Sequence, residues 1–284
     1  MIDFATLLIV FREVIEAGLI VGIVMAATTG VPQRGRFIAL GVGGGIAGAC
    51  LVAAFAGELA ALFQGSGQEL FNASILLLAV MMLTWHNVWM ASHGREMARE
   101  LKAAGHQVRT GERTLAALAM VVGIAVLREG SEVVLFLYGI IAQGGASATA
   151  MTAGGALGLA AGAAVSALLF YGLLAIPAGK LFQVTSWLIT LLAAGMAAQA
   201  VLYLQNGGWL EYLTATLWDT STVLPDDGQG TVGVIGKMLH TLVGYNATPN
   251  GAQLIAYGLT IATMLALMRV IGARDAARSS LKLV

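Results

Sequence analysis

The chain has 284 residues, 58% of them hydrophobic and only 11% charged, where a soluble domain carries about a quarter charged residues; most of its surface therefore faces lipid. Formal net charge at pH 7 is zero, so no basic excess points to nucleic acid. The single cysteine, Cys50, excludes an internal disulfide framework and any cysteine-ligated metal or iron–sulfur centre.

Met1-Ile2-Asp3-Phe4 opens the chain without a basic run or a small-residue cleavage site, so the first helix is expected to persist in the mature protein. A helix needs about 20 mostly apolar residues to cross the hydrocarbon core. That template predicts spans at Phe4–Thr29, Phe37–Phe63, Leu70–Ala91, Leu115–Ala142, Thr149–Ala175, Leu181–Gln205 and Gln253–Gly272. Between the third and fourth spans, His93–Arg113 mixes both charge signs and reads as a solvated helical extension. The long loop Asn206–Ala252 holds two amphipathic stretches, Trp209–Trp218 and Val232–Val243, expected to be short surface helices. Trp85, Trp89, Trp187, Trp209 and Trp218 suit interfacial belts.

Of the 15 Lys and Arg, Arg12 and Arg128 fall inside predicted helices and Lys237 in the long loop. The remainder, from Arg34 and Arg36 through Arg109 and Arg113 to Lys180 and Arg269, share the other side. Positive charge marks the cytoplasmic side, so the N-terminus is expected outside and the C-terminus inside a multi-pass cell (inner) membrane protein.

Phe11-Arg12-Glu13-Val14-Ile15-Glu16 in the first span is matched by Leu127-Arg128-Glu129-Gly130-Ser131-Glu132 in the fourth. Each is followed by a glycine-rich span, then by a span opening Leu70-Phe71-Asn72 or Leu181-Phe182-Gln183. Three spans repeat as three, and an odd number forces the second copy to enter from the opposite side, an arrangement that sets transport sites at the repeat interface. The expected fold is all-α, with seven transmembrane helices in an inverted 3+3 repeat plus one C-terminal helix. Its segments are residues 1–92, the first repeat; 93–114, a cytoplasmic connection; 115–205, the second repeat; 206–252, the extracytoplasmic loop; and 253–284, the last helix and basic tail.

Within each motif the Arg and second Glu are four residues apart and the two Glu three apart, so one helix face carries all three. A charge at a helix centre costs about 2.5–3.5 kcal/mol even on the mildest scales, so these groups must face protein, water or an ion. Four carboxylates against two guanidinium groups leave two negative charges in excess, which a structural lock has no reason to bury. A cation cancels them, and carboxylate oxygens suit Fe, Mn, Mg or Ca rather than a soft metal. The residues alone thus imply a cation permease with an unnamed metal.

The duplicated Arg-Glu-x-x-Glu motifs, the seven spans, Leu83-Thr84-Trp85 in the third and Trp218-Asp219-Thr220-Ser221 with Gly244-Tyr245 in the late loop resemble the oxidase-linked high-affinity iron permease family, including its bacterial EfeU-like members. The resemblance implies that Glu13, Glu16, Glu129 and Glu132 handle iron during passage while Arg12 and Arg128 support them. It implies iron, as Fe3+ or Fe2+, carried inward as transported substrate with no cofactor, and an extracytoplasmic iron oxidase, peroxidase or iron-binding partner. Competing readings are a Mn or other divalent-cation transporter, an intramembrane carboxylate metalloenzyme, which lacks the usual Glu-x-x-His spacing here, and an assembly scaffold. No P-loop is present, so ATP is not the direct drive.

Lesser candidates are Asp219, Asp226 and Asp227 for iron capture on the outer side, although Asp226-Asp227-Gly228 is equally an ordinary turn. Glu58 suits an entrance or a snorkelling carboxylate. His86, where the family suggests an apolar residue, is read as a hydrogen-bonding partner of a neighbouring helix, with a proton or metal contact as the alternative. His93, His106 and His240 are expected to be solvated.

Overall fold

Asp3 caps the first helix, α1 (Phe4–Ala27): its backbone is extended and its Oδ1 accepts the Thr6 N–H at 2.7 Å, satisfying one of the donors a helix start leaves unpaired. The Asp3 N–H donates to the Ala150 carbonyl at 3.0 Å. That bond hooks α1 to the start of α5 (Ala148–Phe170), where Ser147 accepts the Ala150 N–H at 3.2 Å. The other helices are α2 (Arg34–Leu62), α3 (Gln68–Arg109), α4 (Leu115–Gln143), α6 (Ala178–Asn206), α7 (Gly230–Val243) and α8 (Gly251–Leu281). This computed structural model describes residues 2–62, 68–143, 147–172 and 178–281, with side chains over 2–56, 68–90, 96–143, 147–172 and 180–271.

Stretches of α2, α3, α5, α6 and α8 are long and apolar enough to cross a bilayer, and the described residues contain no strand; the chain is an all-helical, polytopic membrane protein. Helices α1 and α4, of 24 and 29 residues, are also long enough for a hydrocarbon core of about 30 Å at 1.5 Å per residue. What sets them apart is that each carries an Arg and two Glu near its middle.

Glycines bring α2 against α4 and α5 against α1. A Cβ on Gly45 would lie 2.7 Å from the Gly123 carbonyl oxygen, 2.7 Å from Val126 Cβ and 2.9 Å from Leu127 N. One on Gly158 would lie 2.6 Å from the Leu7 carbonyl oxygen, 3.1 Å from Val10 Cβ and 3.1 Å from Phe11 N. The two glycines thus meet corresponding atoms of the residues just before the two motifs, and only a residue without a Cβ permits that approach. Above the motifs, toward the N-terminus of α1, an apolar core closes around Leu8, Ile9, Leu76, Phe136, Leu192 and Met196. Below them a second core gathers Ile20, Val24, Ile38, Leu101, Leu118 and Val122.

Three expectations need correcting. Trp209–Trp218 is not helical: Gly208 and Leu213 take positive φ (73° and 55°), and the segment instead pairs with the approach to α8 through a Thr216–Asn250 bridge and a 2.9 Å bond from the Leu217 N–H to the Pro249 carbonyl. The fifth span ends at Phe170 rather than Ala175, capped at Tyr171 before Gly172 at φ 68°. The extension of the third span is not solvated all round, since Leu101, Gly105 and Val108 are buried at helical spacing, with Gly105 packed on Ala27. The stretch Val232–Val243 is helical as expected, within α7, which ends at Gly244 (φ 70°) where that glycine abuts Gly195 of α6.

Candidate metal site

The first motif stands mid-helix in α1, with Arg12 and Glu13 each 1% exposed and Glu16 3% exposed. Its Arg12 Nε lies 3.0 Å from Glu16 Oε1, and an Arg12 terminal nitrogen donates to Glu13 Oε1 at 3.5 Å. On α4, Glu129 is equally buried. The second motif is not a copy of the first in its surroundings, however: the Arg128 side chain is 36% exposed and that of Glu132 14%, so burial of all six motif residues does not hold. Arg128 Nε donates to Glu132 Oε1 at 3.1 Å, and its guanidinium sits 4.3 Å from the centre of the Trp89 ring. Trp89 is therefore a platform for this cation rather than a belt residue.

His86 stands between the motifs. It is 2% exposed on α3, where it packs edge-on against Phe136 with ring centres 6.4 Å apart. Its Nδ1 contacts Glu132 Oε2, while Nε2 lies 3.5 Å from Glu16 Oε2 and 3.9 Å from Glu13 Oε2. One donor atom from each of Glu13, Glu16, Glu129 and His86 falls within 4.8 Å of the others. Among the described residues this is the one such buried group of acidic and histidine side chains. Apart from the ion-pair contacts just described, Glu13 Oε2, Glu16 Oε2, Glu129 Oε2 and His86 Nε2 make no hydrogen bond, and a buried polar atom left without one costs about 1–3 kcal/mol.

A cavity of about 540 Å³ leads to Arg12, Glu16 and Glu129. Leu19 and Ile23 of α1, Met97 and Leu101 of α3, Phe182 of α6 and Met268 of α8 wall it, all toward the end of the bundle that carries the positive loops. On the opposite side Leu8, Leu83 and Phe136 pack in a buried core, and a second cavity of about 660 Å³ between α1, α2, α4 and α5 reaches Glu13 and Glu129. Asn87 of α3, missed in the sequence, donates to the Ser186 carbonyl at 3.1 Å and to Thr190 Oγ1 at 3.2 Å, tying α3 to α6 beside the first cavity. Its signal was available: an Asn beside a His in an apolar span is a costly pair unless both are used.

The outer aspartates are not brought together. Asp219 accepts from the Ser221 hydroxyl at 2.6 Å and its N–H at 2.9 Å, bonds that hold its carboxyl below the usual range. Asp227 accepts the Gln229 N–H at 2.9 Å within its own turn, whereas Asp226 accepts the Ala247 N–H at 3.1 Å and ties its turn to the segment before α8. His240 is not simply solvated, since its Nδ1 meets the Tyr245 carbonyl at 2.6 Å at the end of α7. The side chains of Glu58 and His93 lie outside those described.

A bundle of apolar helices that buries acidic and histidine side chains at the end of a cavity is the architecture of a membrane transport protein. Residues 3–277 match the iron permease FTR1 family, and the chain belongs to that family. It is 32% identical over 258 residues to "Ferrous iron permease EfeU" of Escherichia coli O6:H1, covering 89% of this chain and 91% of the relative. The protein of the same name from Yersinia pestis is 31% identical over 258 residues, covering 89% of each. No solved structure matches the chain. Iron uptake by a multi-pass permease is the activity this membership carries.

Proposed function

We propose that this permease carries iron inward as Fe2+ through the cluster formed by the two Arg-Glu-x-x-Glu motifs at the centre of a seven-span bundle. The convergence of Glu13, Glu16, Glu129 and His86 donor atoms within 4.8 Å at the end of a cavity carries the reading. Four carboxylates and two guanidinium groups leave an excess of two negative charges, which a divalent ion neutralises in a medium where an uncompensated charge is costly. The relatives' name, ferrous iron permease, agrees with that charge.

The seven spans are the five apolar stretches together with α1 and α4, and α1–α3 and α4–α6 form an inverted repeat. Support comes from the corresponding contacts of Gly45 and Gly158 and from the packing of α1 on α5, α2 on α4 and α3 on α6. The positive loops face the cytoplasm, the N-terminus lies outside, and the membrane is the cell's inner one. In that orientation the cavity opens inward and the apolar core seals the outer side, the inward-facing half of an alternating-access cycle. Iron arrives from an extracytoplasmic partner that binds it.

The test is uptake of iron-55 into proteoliposomes under reducing conditions by wild type and Glu129→Gln, with both variants checked for monodisperse folding. Wild-type uptake that vanishes in Glu129→Gln supports the reading. Equal uptake by the two would return the cluster to a structural role.

A further inference from the structure

The two motifs differ in what their second glutamate does. Glu16 keeps one oxygen on Arg12 and turns Oε2 toward His86 Nε2, 3.5 Å away. Glu132 keeps one oxygen on Arg128 and places the other on His86 Nδ1. Its donor atoms are thereby committed, one to each neighbour, and it is not among the four residues whose ligand atoms converge. The repeat spacing that aligns Leu70 with Leu181 sets Ala197 against His86, so the imidazole has no counterpart in the other half and stands as a single group between the motifs.

We propose that His86 is a nitrogen ligand of the transported ion, with Glu13, Glu16 and Glu129 as the oxygen ligands, and that Glu132 is a positioning residue holding the ring. This rests on the reading of the cluster as the iron pathway. Metal-bound histidines almost always donate their other ring N–H to a carboxylate, which fixes the tautomer and aims the free lone pair at the ion. Here Glu132 occupies that place on Nδ1, steadied by Arg128 at 3.1 Å, itself laid on Trp89 at 4.3 Å. The row Trp89–Arg128–Glu132–His86 therefore ends with Nε2 facing Glu16 and Glu13, with Glu129 in the same cluster.

The spacing fits. Two ligands each about 2.1 Å from one ion stand about 3.0 Å apart at a right angle and about 4.2 Å apart when opposite. Nε2 lies 3.5 Å from Glu16 Oε2 and 3.9 Å from Glu13 Oε2, too far for good hydrogen bonds and inside the range for ligands of a common ion. One nitrogen among oxygens changes which ions the site prefers. Carboxylates alone suit Mg2+, Ca2+ and Mn2+, whereas imidazole suits iron and the later transition metals. His86 is then the residue that discriminates Fe2+ from those more abundant cations.

The experiment is pulsed EPR of the full chain in nanodiscs loaded with saturating Mn2+, a probe whose electron spin reports directly bound nitrogen. Natural-abundance and 15N-histidine-labelled wild type would be compared, followed by His86→Gln and Glu132→Gln. Wild type should show imidazole 14N modulation that converts to 15N on labelling, disappears in His86→Gln and survives in Glu132→Gln. In parallel, His86→Gln should lose at least about tenfold more affinity for Fe2+ than for Mg2+ or Mn2+, while Glu132→Gln weakens metal binding about 10–100-fold as an outer partner of a ligand does. Wild type that binds Mn2+ without nitrogen modulation overturns the assignment of His86 and leaves the carboxylate pathway standing. Wild type that binds neither Mn2+ nor Fe2+ overturns both. Labelled wild type suffices for that decision even if a variant folds poorly.

Discussion

Replacing Gly45 by Ala adds one methyl group where the nearest atoms are the Gly123 carbonyl oxygen and Val126 Cβ, each at 2.7 Å, and Leu127 N at 2.9 Å. None of these can rotate away, so α2 and α4 must separate until the methyl group reaches ordinary contact, a shift of about 0.8–1.3 Å if the usual carbon separation of about 3.5–4.0 Å is restored. Overpacking of this kind costs about 1–3 kcal/mol. Leu127 is followed directly by Arg128 and Glu129, so the shift also moves a site carboxylate, and misplacement by about 1 Å in a preorganised site costs up to about 100-fold in rate. Gly44→Ala is the matched control, because nothing lies within 4 Å of a Cβ there and both variants share the helix-propensity gain of about 1 kcal/mol. The assay pairs thermal unfolding in detergent with iron-55 uptake in proteoliposomes. Gly45→Ala should melt below Gly44→Ala and transport at least about tenfold more slowly, and Gly158→Ala should behave like Gly45→Ala. If Gly45→Ala and Gly44→Ala were indistinguishable in both measurements, the close approach of α2 to α4 would be wrong.

Glu16→Gln strands a guanidinium that is 1% exposed with only the 3.5 Å contact to Glu13. Breaking a buried pair in this way costs about 3–5 kcal/mol, which denaturant or thermal unfolding will read alongside lost uptake, and an unchanged midpoint would refute the pairing. Trp89→Ala removes the ring under Arg128, worth about 0.5–2 kcal/mol; iron affinity should fall by no more than about 30-fold, and a complete loss would mean that Trp89 does more than seat the cation. In a Cys50→Ala background, Ser186→Cys on the cavity wall should react with an impermeant thiol reagent in inside-out vesicles and not in right-side-out ones. The reverse pattern would contradict an inward-opening cavity.

Much of this was legible in the sequence because membrane burial makes charge conspicuous. Arg12, Glu13 and Glu16 recur as Arg128, Glu129 and Glu132 in otherwise apolar helices, so spacing alone singled out the residues that the fold gathers around His86. The glycine-rich span after each motif was legible, although the helix that Gly45 and Gly158 each meet was not. His86 was legible as a partner of a neighbouring helix, but which helices it meets was not, because only packing brings α3 between α1 and α4. The unequal environments of Glu16 and Glu132 were invisible for the same reason, since identical local motifs face different neighbours. The Trp209–Trp218 segment misled because its apolar spacing was helical, whereas the left-handed backbone at Leu213 and the bridge from Thr216 to Asn250 depend on residues far along the chain.

The most direct test of the central claim is to locate the ion itself, by collecting anomalous diffraction at the iron absorption edge from crystals of the full chain soaked anaerobically in Fe2+. A single dominant peak bounded by Glu13, Glu16, Glu129 and His86, absent from data collected just below the edge, is the predicted result. Iron density confined to the outer loop, with the buried cluster unoccupied at saturating iron, would contradict the account.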